Sequence, residues 1–456
     1  MIDINSEIRK IVEFYNSKLL RSIQKDHFEI AGIIDQVISD YNSRNFNFSN
    51  YKSIIIKQFG KKRKVKQYFA WSTELFLSIY LKRCLDREFK IKYPNRNNHM
   101  HILFGTISSL RDMKDYAIVR FDFEDFFNSI SSKYIYEKYI VSSHLERYQK
   151  DLFFDFISKC PYCYAGINTS NVMAEIICRQ FDKLISNSFY KNGLIFYKRY
   201  VDDGILIFNR YIEREECISI IEKSLKYSFH TSLNYDCKTK LNKDEDKLIY
   251  ISKRMLDKNS DKIHRFHYLG YQFGLNVNQK NKSITRIEYG ITDVKIEKYT
   301  RRIENIIDDF LKNKNMELLR HRIRAFSCRT VYRRKKYSSM IWKVKGFTSN
   351  YNELRNHLLH LDSNSEHFLK NAIKDAFDRK KVKCPYFLLD ISHKNPYCLY
   401  NNLCSNRALL FEENRRIGIN IETLEKMCHQ INIAKSNKST YNSLLREYLI
   451  KMRVGH

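Results

Sequence analysis

Residues 194–208 read LIFYKRYVDDGILIF, two apolar runs on either side of a short Asp-Asp-Gly turn. Apolar runs around such a turn predict a β-hairpin. The turn carries Asp202 and Asp203, whose ionised carboxylates repel each other and need a cation. Mg²⁺ or Mn²⁺ suits such hard oxygen ligands. Taken alone, Asp-Asp-Gly is more often an ordinary turn, so its meaning depends on the rest of the chain.

A further carboxylate follows a buried strand earlier in the chain. Residues 117–122 read AIVRFD, and residues 123–130 (FEDFFNSI) predict the start of a helix. If this strand lies beside the hairpin, Asp122, Asp202 and Asp203 converge at one sheet edge. Three such carboxylates can hold two metal ions about 4 Å apart. The arrangement indicates nucleotidyl transfer, with one ion activating a primer 3′-hydroxyl and the other neutralising a triphosphate.

The charge balance indicates a polyanionic partner. The 456 residues carry a formal net charge of +30, with 32 Tyr and 30 Phe interleaved among the basic residues. Lys and Arg neutralise phosphates, and aromatic faces stack on unpaired bases. Nucleic acid is the expected partner, with an anionic membrane as the alternative. The composition is that of a folded chain, and no membrane span or signal peptide is predicted, so we expect a cytoplasmic protein.

The 11 cysteines follow no repeating spacing, which is typical of buried thiols. Cys160 and Cys163 form a CxxC pair without the βαβ context of a redox motif. Cys398 and Cys404, with His393 nearby, are too irregularly spaced for a zinc site. Neither redox chemistry nor structural zinc is therefore expected.

Coarser patterns divide the rest of the chain. Helical periodicity predicts helices within residues 1–50 and 73–90, and again from about Asp293. A strand-rich stretch runs to about residue 275. Basic groups stand at residues 61–66, 301–302, 320–322 and 333–336, each of which is as compatible with a solvated face as with phosphate binding.

Five motifs in order resemble those of the reverse-transcriptase family. They are the Asp followed by an aromatic gate at residues 121–127, the Gly-and-Ser motif at 166–171, Tyr-Val-Asp-Asp at 200–203, the Lys motif at 233–239 and the primer-grip hairpin at 268–273. The basic cluster at 61–66 stands where the family has a fingers strand. The resemblance implies an α+β right-hand polymerase (fingers, palm, thumb) with an antiparallel palm sheet, followed by an α-helical C-terminal region.

The resemblance also implies residue roles. The catalytic set is Asp122, Asp202, Asp203 and Lys238, with Lys238 at the pyrophosphate. The metal set, for two Mg²⁺ or possible Mn²⁺ ions, is Asp122, Phe123, Asp202 and Asp203. The dNTP-binding set is Lys62, Arg63, Lys66, Phe127 and Gly166, with Phe127 as a steric gate against a 2′-hydroxyl and Phe126 as the core residue of that pair. The template- and primer-binding set is Thr169, Ser170, Tyr200, Leu269, Gly270 and Tyr271.

The implied domains are an N-terminal helical region and fingers (1–115), a palm with part of the fingers (116–278), a helical thumb (279–345) and a C-terminal helical extension (346–456).

Two positions depart from many relatives, since Ala165 replaces a Gln and Asn168 replaces a Pro. Such departures resemble the bacterial defence-associated, unknown-group and abortive-infection enzymes, including the paired enzymes of a two-reverse-transcriptase antiphage system.

The expected activity is RNA-directed DNA synthesis from dNTPs, with a structured non-coding RNA as template and DNA as product. A second reverse transcriptase or a homo-oligomer is a possible partner. Template-independent or protein-primed synthesis, an RNA-dependent RNA polymerase, and a catalytically silent RNA-binding scaffold remain as alternatives. The intact carboxylates argue against the scaffold, and Phe127 argues against the RNA polymerase.

Overall fold

The apolar runs around the Asp-Asp-Gly turn form two strands of a four-stranded antiparallel sheet in the computed structural model. β5 (Leu194–Tyr200) pairs with β6 (Asp203–Phe208), and β6 pairs with β3 (Ala117–Phe121). β3 also pairs with β8 (Ile249–Ser252), so the strand order is β5-β6-β3-β8. Every residue of β3 is buried, as the continuous apolar run predicts.

The structure describes residues 4–19, 23–58, 61–229, 238–259, 262–277, 284–336, 339–389, 395–413, 417–434 and 440–453. These residues form a mixed α/β protein whose sheets are mainly antiparallel. The chain divides into two units, residues 1–99 with 112–259 and residues 100–111 with 260–456. The four implied domains divide it elsewhere and remain a prediction.

The first unit surrounds the four-stranded sheet with helices. Its helices are α1 (Ile4–Lys18), α2 (His27–Ser43), α3 (Thr73–Glu88), α5 (Phe126–Ser129), α6 (Ser132–Ile135), α7 (Arg147–Lys159), α8 (Ser170–Phe189), α9 (Arg214–Phe229) and α10 (Lys253–Lys258). Its other strands are β1 (Tyr51–Gln58), β2 (Lys61–Tyr68), β4 (Phe123–Glu124) and β7 (Lys240–Leu241). β1 pairs with β2 and β4 with β7, both antiparallel. One apolar core joins the sheet to α1, α2, α3, α7 and α8.

The second unit contains two three-stranded sheets. α4 (Arg96–Ser109) begins in the first unit and ends in the second. The strands are β9 (His264–Tyr268), β10 (Tyr271–Val277), β11 (Thr285–Ile291), β12 (Arg329–Lys336), β13 (Ser339–Lys345) and β14 (Ala408–Phe411), in the orders β11-β10-β9 and β13-β12-β14. The helices are α11 (Asp293–Asn313), α12 (Met316–Ser327), α13 (Phe347–Asn350), α14 (Ser363–Arg379), α15 (Tyr386–Leu389), α16 (Leu399–Cys404), α17 (Ile421–Gln430) and α18 (Tyr441–Lys451).

The sequence predicts α11 well, because Tyr299, Ile303, Ile306 and Ile307 recur on its buried face. The description of residues 279–345 as helical is correct for α11 and α12 but wrong for β11, β12 and β13. Their side chains alternate with a period of two, which basic residues on the exposed positions obscure. Among the described residues of 346–456, the helices and strands in chain order are all helices except β14.

The structure describes the two cysteines of the CxxC pair. Cys160 and Cys163 are buried free thiols, and burial raises the pKa of Cys160 to about 11, which keeps it protonated at neutral pH. No disulfide joins this pair. His393 lies outside the described residues. Within the described ranges, no helix has the length and hydropathy that crossing a membrane requires.

Candidate active site

Strand register brings Asp122 next to the Asp-Asp turn. Phe121, the last residue of β3, pairs with Gly204 of β6. Continuing that register by one residue sets Asp122 opposite Asp203, and opposed residues of antiparallel strands have Cα atoms about 4.5–5.5 Å apart. The Asp122 charge acts on Asp203, as expected for neighbouring carboxylates. The two acidic segments, 80 residues apart in sequence, therefore meet at one edge of the sheet.

Gly204 allows this close pairing because it has no side chain. A Cβ atom at this position would collide with the ring of Phe121, which is fully buried. The glycine of the Asp-Asp-Gly turn is thus required by the packing of β3 against β6 rather than by its backbone angles. Phe121 in turn lies in the apolar core beneath the site.

Two cationic side chains neutralise the acidic edge. Lys247 donates a hydrogen bond of 2.6 Å from Nζ to Oδ2 of Asp122, and Arg120 donates one of 2.5 Å from Nη2 to Oδ1 of Asp203. Arg120 also donates to the carbonyl oxygen of Asp246, 2.7 Å away, which ties the loop before β8 to β3. Neither Arg120 nor Lys247 was identified from the sequence. An Arg inside the otherwise apolar strand AIVRF is a signal for a buried ion pair, whereas Lys247 lies in a charged loop that offers none.

Burial and the neighbouring charges shift the pKa values of Asp203 and Lys247. Burial raises the pKa of Asp203 above its ordinary value, and the charge of Asp122 adds to the effect, while Arg120 opposes it. Burial alone would lower the pKa of Lys247, but its hydrogen bond to Asp122 and the charge of that carboxylate raise it overall. Lys247 therefore stays protonated at neutral pH.

The expectation of three converging carboxylates is met only in part. Among the residues that the structure describes, no three His, Cys, Asp or Glu side chains are arranged as a formed metal site. Asp122 and Asp203 are instead ion-paired with Lys247 and Arg120. Oδ1 of Asp122 is nevertheless buried and has no hydrogen-bond partner within the described residues. A buried carboxylate oxygen of this kind fits a divalent cation, because such cations take oxygen ligands.

The turn that carries the acidic pair has an unusual backbone. Val201 has φ +62, a left-handed conformation that costs a β-branched residue about 1–3 kcal/mol. Nη1 of Arg199 donates to the carbonyl oxygen of Val201 at 2.7 Å. The same guanidinium is paired with Glu175 at 2.9 Å and Asp182 at 2.9 Å, both on α8. The buried Arg199 thus connects the strained turn to a long helix.

The predicted dNTP-binding residues Lys66 and Gly166 lie together in the first unit. The Lys66 amide donates to the carbonyl of Ala165 at 2.8 Å, and Gly166 has φ +99. A Cβ atom on Gly166 would collide with the carbonyl oxygen of Lys66, so only glycine permits this approach. Nζ of Lys66 donates to the hydroxyl of Tyr51 at 2.8 Å and lies 3.0 Å from the ring centroid of Tyr164. The two tyrosines therefore hold the Lys66 ammonium group.

The remaining dNTP-binding residues are less defined. Lys62 and Arg63 lie on β2, opposite Lys57 and Ile56, but their side chains are outside the described part of the chain. Phe127 is half-buried, whereas Phe126 is 3% exposed, so Phe126 is the core residue as expected. Phe127 packs edge-on against it, with ring centroids 5.3 Å apart.

The Lys motif is only partly described, because residues 233–237 lie outside the described ranges. Lys238 is exposed, and its backbone amide donates to the carbonyl of Ser129 at 3.0 Å, beside α5. Its Nζ is 6.0 Å from the ring centroid of Tyr162. Phe123, included in the metal set, is 3% exposed and begins β4 directly after Asp122.

The predicted template- and primer-binding residues of the first unit are largely buried. Thr169 is fully buried, and Ser170, also buried, donates to the carbonyl of Tyr164 at 2.6 Å. These hydroxyls begin α8 rather than line an open surface. Tyr200 is half-buried, with its ring edge-on to His99 at 6.4 Å between centroids. A template contact is therefore geometrically easier for Tyr200 than for Thr169 or Ser170.

The primer-grip residues form a tight hairpin in the second unit. Leu269 and Gly270 have φ +47 and φ +89 between the paired Tyr268 and Tyr271, the pattern of a two-residue type I′ turn. Tyr271 is fully buried, and its hydroxyl donates to the carbonyl of Asn350 at 2.9 Å and to the carboxylate of Glu353. Its side chain therefore stabilises the second unit, and its role as a primer contact stays a prediction.

No protein-family model and no curated protein matches the chain. The chain is similar to the solved structure of apo telomerase from Candida tropicalis truncated from the C-terminal domain, with TM-score 0.34 and 9% identity over 57% of this chain and 60% of that one. Telomerase from Candida albicans in complex with a TWJ fragment of telomeric RNA has TM-score 0.37 and 12% identity, over 91% of this chain and 67% of that one. Apo telomerase from Candida tropicalis has TM-score 0.34 and 10% identity, over 92% and 73%.

Proposed function

We propose that the protein is an RNA-directed DNA polymerase that extends a primer 3′-hydroxyl with dNTPs. The register of β3 against β6, which sets Asp122 opposite Asp203, is the observation that carries the proposal. A binding module gains nothing from acidic side chains that repel each other at a sheet edge. The order of the five sequence motifs and the net charge of +30 support the same conclusion.

Asp122, Asp202 and Asp203 would hold the divalent ions, with Oδ1 of Asp122 as a buried oxygen ready for coordination. When bound, two Mg²⁺ ions supply charge neutralisation at the triphosphate and activation of the primer hydroxyl. Lys247 and Arg120 pair with the carboxylates of Asp122 and Asp203 and would hold them in place beforehand. The side chains of Lys247 and Arg120 would also remain near the triphosphate, where positive charge is favourable.

Residues around the acidic edge would select and orient the nucleotide. Phe127 would pack against the sugar and exclude a 2′-hydroxyl, and Lys238 would neutralise the leaving pyrophosphate. Lys66, held by Tyr51 and Tyr164, would present its charge to the triphosphate from the β1–β2 hairpin. In this proposal, the first unit contains the fingers and palm of a right-hand polymerase.

The central test is the double substitution Asp202→Asn with Asp203→Asn. We expect primer extension on an RNA template to fall to background, because two metal ligands lose their charge, while the thermal unfolding temperature changes little. The control is Glu215→Gln with Glu216→Gln, an exposed acidic pair on α9, which should extend primers normally. Wild-type synthesis by the Asp202/Asp203 variant would overturn the assignment. Substituting NTPs for dNTPs separates DNA from RNA synthesis.

A role in antiphage defence is the finer part of the proposal. It rests on the Ala165 and Asn168 departures, which resemble those of defence-associated enzymes. A bacterial host expressing the chain with its neighbouring genes should form fewer phage plaques than one expressing the Asp202→Asn, Asp203→Asn variant. Equal plaque numbers for both would remove the defence role and leave the polymerase proposal intact. Sequencing of copurified nucleic acid would identify the non-coding RNA template.

A further inference from the structure

A basic ribbon in the second unit lies apart in sequence from every catalytic motif. It consists of β12 and β13, and residues 329–345 read RTVYRRKKYSSMIWKVK, with seven basic residues and no acidic one. β12 is bonded to β14 on its other side, so β13 is an edge strand of the described sheet. The absence of acidic residues from the ribbon means that nothing within it offsets its attraction for polyanions.

The two faces of the ribbon differ in burial. Tyr332 packs against the apolar core formed with α17 and α18, and Thr330 is fully buried, so this face covers the protein interior. The opposite face carries Met340, Trp342 and Val344, which alternate along β13 and are 50%, 42% and 43% exposed. Three large apolar side chains in a row on an exposed face indicate a binding surface rather than a core.

Arg333 and Trp342 form the centre of the exposed face. They are directly opposed in the β12–β13 register, and the guanidinium carbon of Arg333 lies 4.9 Å from the centroid of the indole ring. Nε of Arg333 is 3.4 Å from the buried carboxylate of Glu412, which steadies the side chain from below. A partly exposed indole with a guanidinium held over its ring combines a stacking surface with positive charge.

We propose that this face of the basic ribbon binds single-stranded nucleic acid, with a base stacked on Trp342. A phosphate beside that base would contact Arg333, which is exposed on the same face, while Arg334 and Lys345, exposed on the opposite face, add to the positive potential of the ribbon. Combined stacking and phosphate contact is the usual physical basis of single-strand binding, since every base has a π-face. The acid-free charge of the ribbon favours a polyanion over a protein surface as its occupant. The site is independent of polymerase chemistry, since none of its residues is a predicted metal or nucleotide ligand.

Binding is tested with the full-length chain and a fluorescein-labelled oligouridine RNA, measured by fluorescence anisotropy. Trp342→Ala should weaken binding about tenfold, the loss expected for one stacked base. Trp342→Phe keeps a ring and should lose less. The matched control is Phe28→Ala, an aromatic residue 86% exposed on α2, which should bind as wild type does. Equal affinity of the Trp342→Ala and Phe28→Ala variants would overturn the proposal.

Fluorescence gives a second readout that does not depend on stability. The chain contains two tryptophans, Trp71 and Trp342. In a Trp71→Phe variant, the remaining emission reports on Trp342, and we expect RNA to quench it. Unchanged emission at saturating RNA would contradict base stacking. A Trp342→Ala variant that changes oligomeric state without changing RNA affinity would also contradict it, because that result indicates a protein interface.

The phosphate contact has its own test in case Trp342→Ala does not fold. Arg333→Gln should reduce the slope of log affinity against log salt concentration by about 1, for its one phosphate contact. An unchanged slope would contradict the proposal. RNA binding is measured without primer or dNTPs, so a failure of the polymerase proposal would leave this one standing.

Discussion

Arg199 connects the acidic turn to the interior of the first unit. Its guanidinium bonds to Glu175, Asp182 and the carbonyl of Val201, and its side chain is 4% exposed. The left-handed Val201 stores strain in the turn between β5 and β6, and strained backbone persists where surrounding contacts hold it. We therefore regard Arg199 as a positioning residue for Asp202 and Asp203 rather than as a catalytic one.

Replacing Arg199 by Met should lower the free energy of unfolding by about 3 kcal/mol, because two carboxylates lose their buried partner. Adding Glu175→Gln and Asp182→Asn removes those charges and should restore most of the stability. Primer extension and Mg²⁺ dependence should stay impaired, because the bond to Val201 is still missing. Urea unfolding and Mg²⁺ titration of activity provide the measurements.

The control for this series is Arg179→Met. Arg179 is an exposed arginine on α8, the helix that also carries Glu175 and Asp182, and we expect a stability change within about 0.5 kcal/mol. Full recovery of Mg²⁺ dependence in the charge-compensated variant would show that Arg199 matters only for stability.

At the scale of elements, the β1–β2 hairpin meets the segment before α8 through backbone atoms. The Lys66 amide bonds to Ala165, and Gly166 allows the approach with φ +99. This junction joins two segments 100 residues apart, and both carry predicted nucleotide contacts. Its geometry depends on a missing side chain, so it tolerates no substitution that adds one.

Gly166→Ala should destabilise the protein by about 1–3 kcal/mol from backbone strain, with a further cost from the collision with the Lys66 carbonyl. Gly32→Ala is the matched control, because Gly32 is exposed within α2 and a Cβ atom there meets nothing within 4 Å. That substitution should stabilise by about 0.5–1 kcal/mol. Chemical denaturation measures the change in unfolding free energy for both substitutions. A change of the same sign for the two would contradict the close approach of Gly166 to the Lys66 carbonyl.

At the scale of the whole molecule, the net charge of +30 favours polyanionic partners. A chain with this imbalance repels itself in the folded state and attracts polyanions from a distance. The β1–β2 hairpin and the basic ribbon, one in each unit, contribute strongly to that charge, since neither contains an acidic residue.

Affinity for a single-stranded RNA should therefore fall steeply with salt. Neutralising about six phosphates predicts a loss on the order of 10³-fold between 50 and 200 mM salt. A peptide nucleic acid of the same base sequence has no phosphates and serves as the control ligand, with weak and salt-independent binding. A salt-independent affinity for RNA would show that the excess charge has another role.

Local periodicity and turn chemistry explain why much of the catalytic region could be predicted. The apolar runs of β3, β5 and β6 and the buried stripe of α11 are signals within a few residues of each other. The start of α8 at Ser170 was expected from the reverse-transcriptase resemblance. The distinction between the buried Phe126 and the half-buried Phe127 follows from the same local pattern. The helical interpretation failed at β12 and β13, where basic side chains mask a period of two.

The sequence by itself determined which carboxylates lie on strand ends and that the chain must attract polyanions. Only the tertiary structure decided that Lys247 neutralises Asp122, that Arg199 supports the turn, and that Tyr271 is buried within the second unit. The physical reason is that periodicity reports each residue's own face and burial. Chain topology and close packing bring together residues such as Lys247 and Asp122, which are 125 residues apart, and they leave no regular spacing in the sequence.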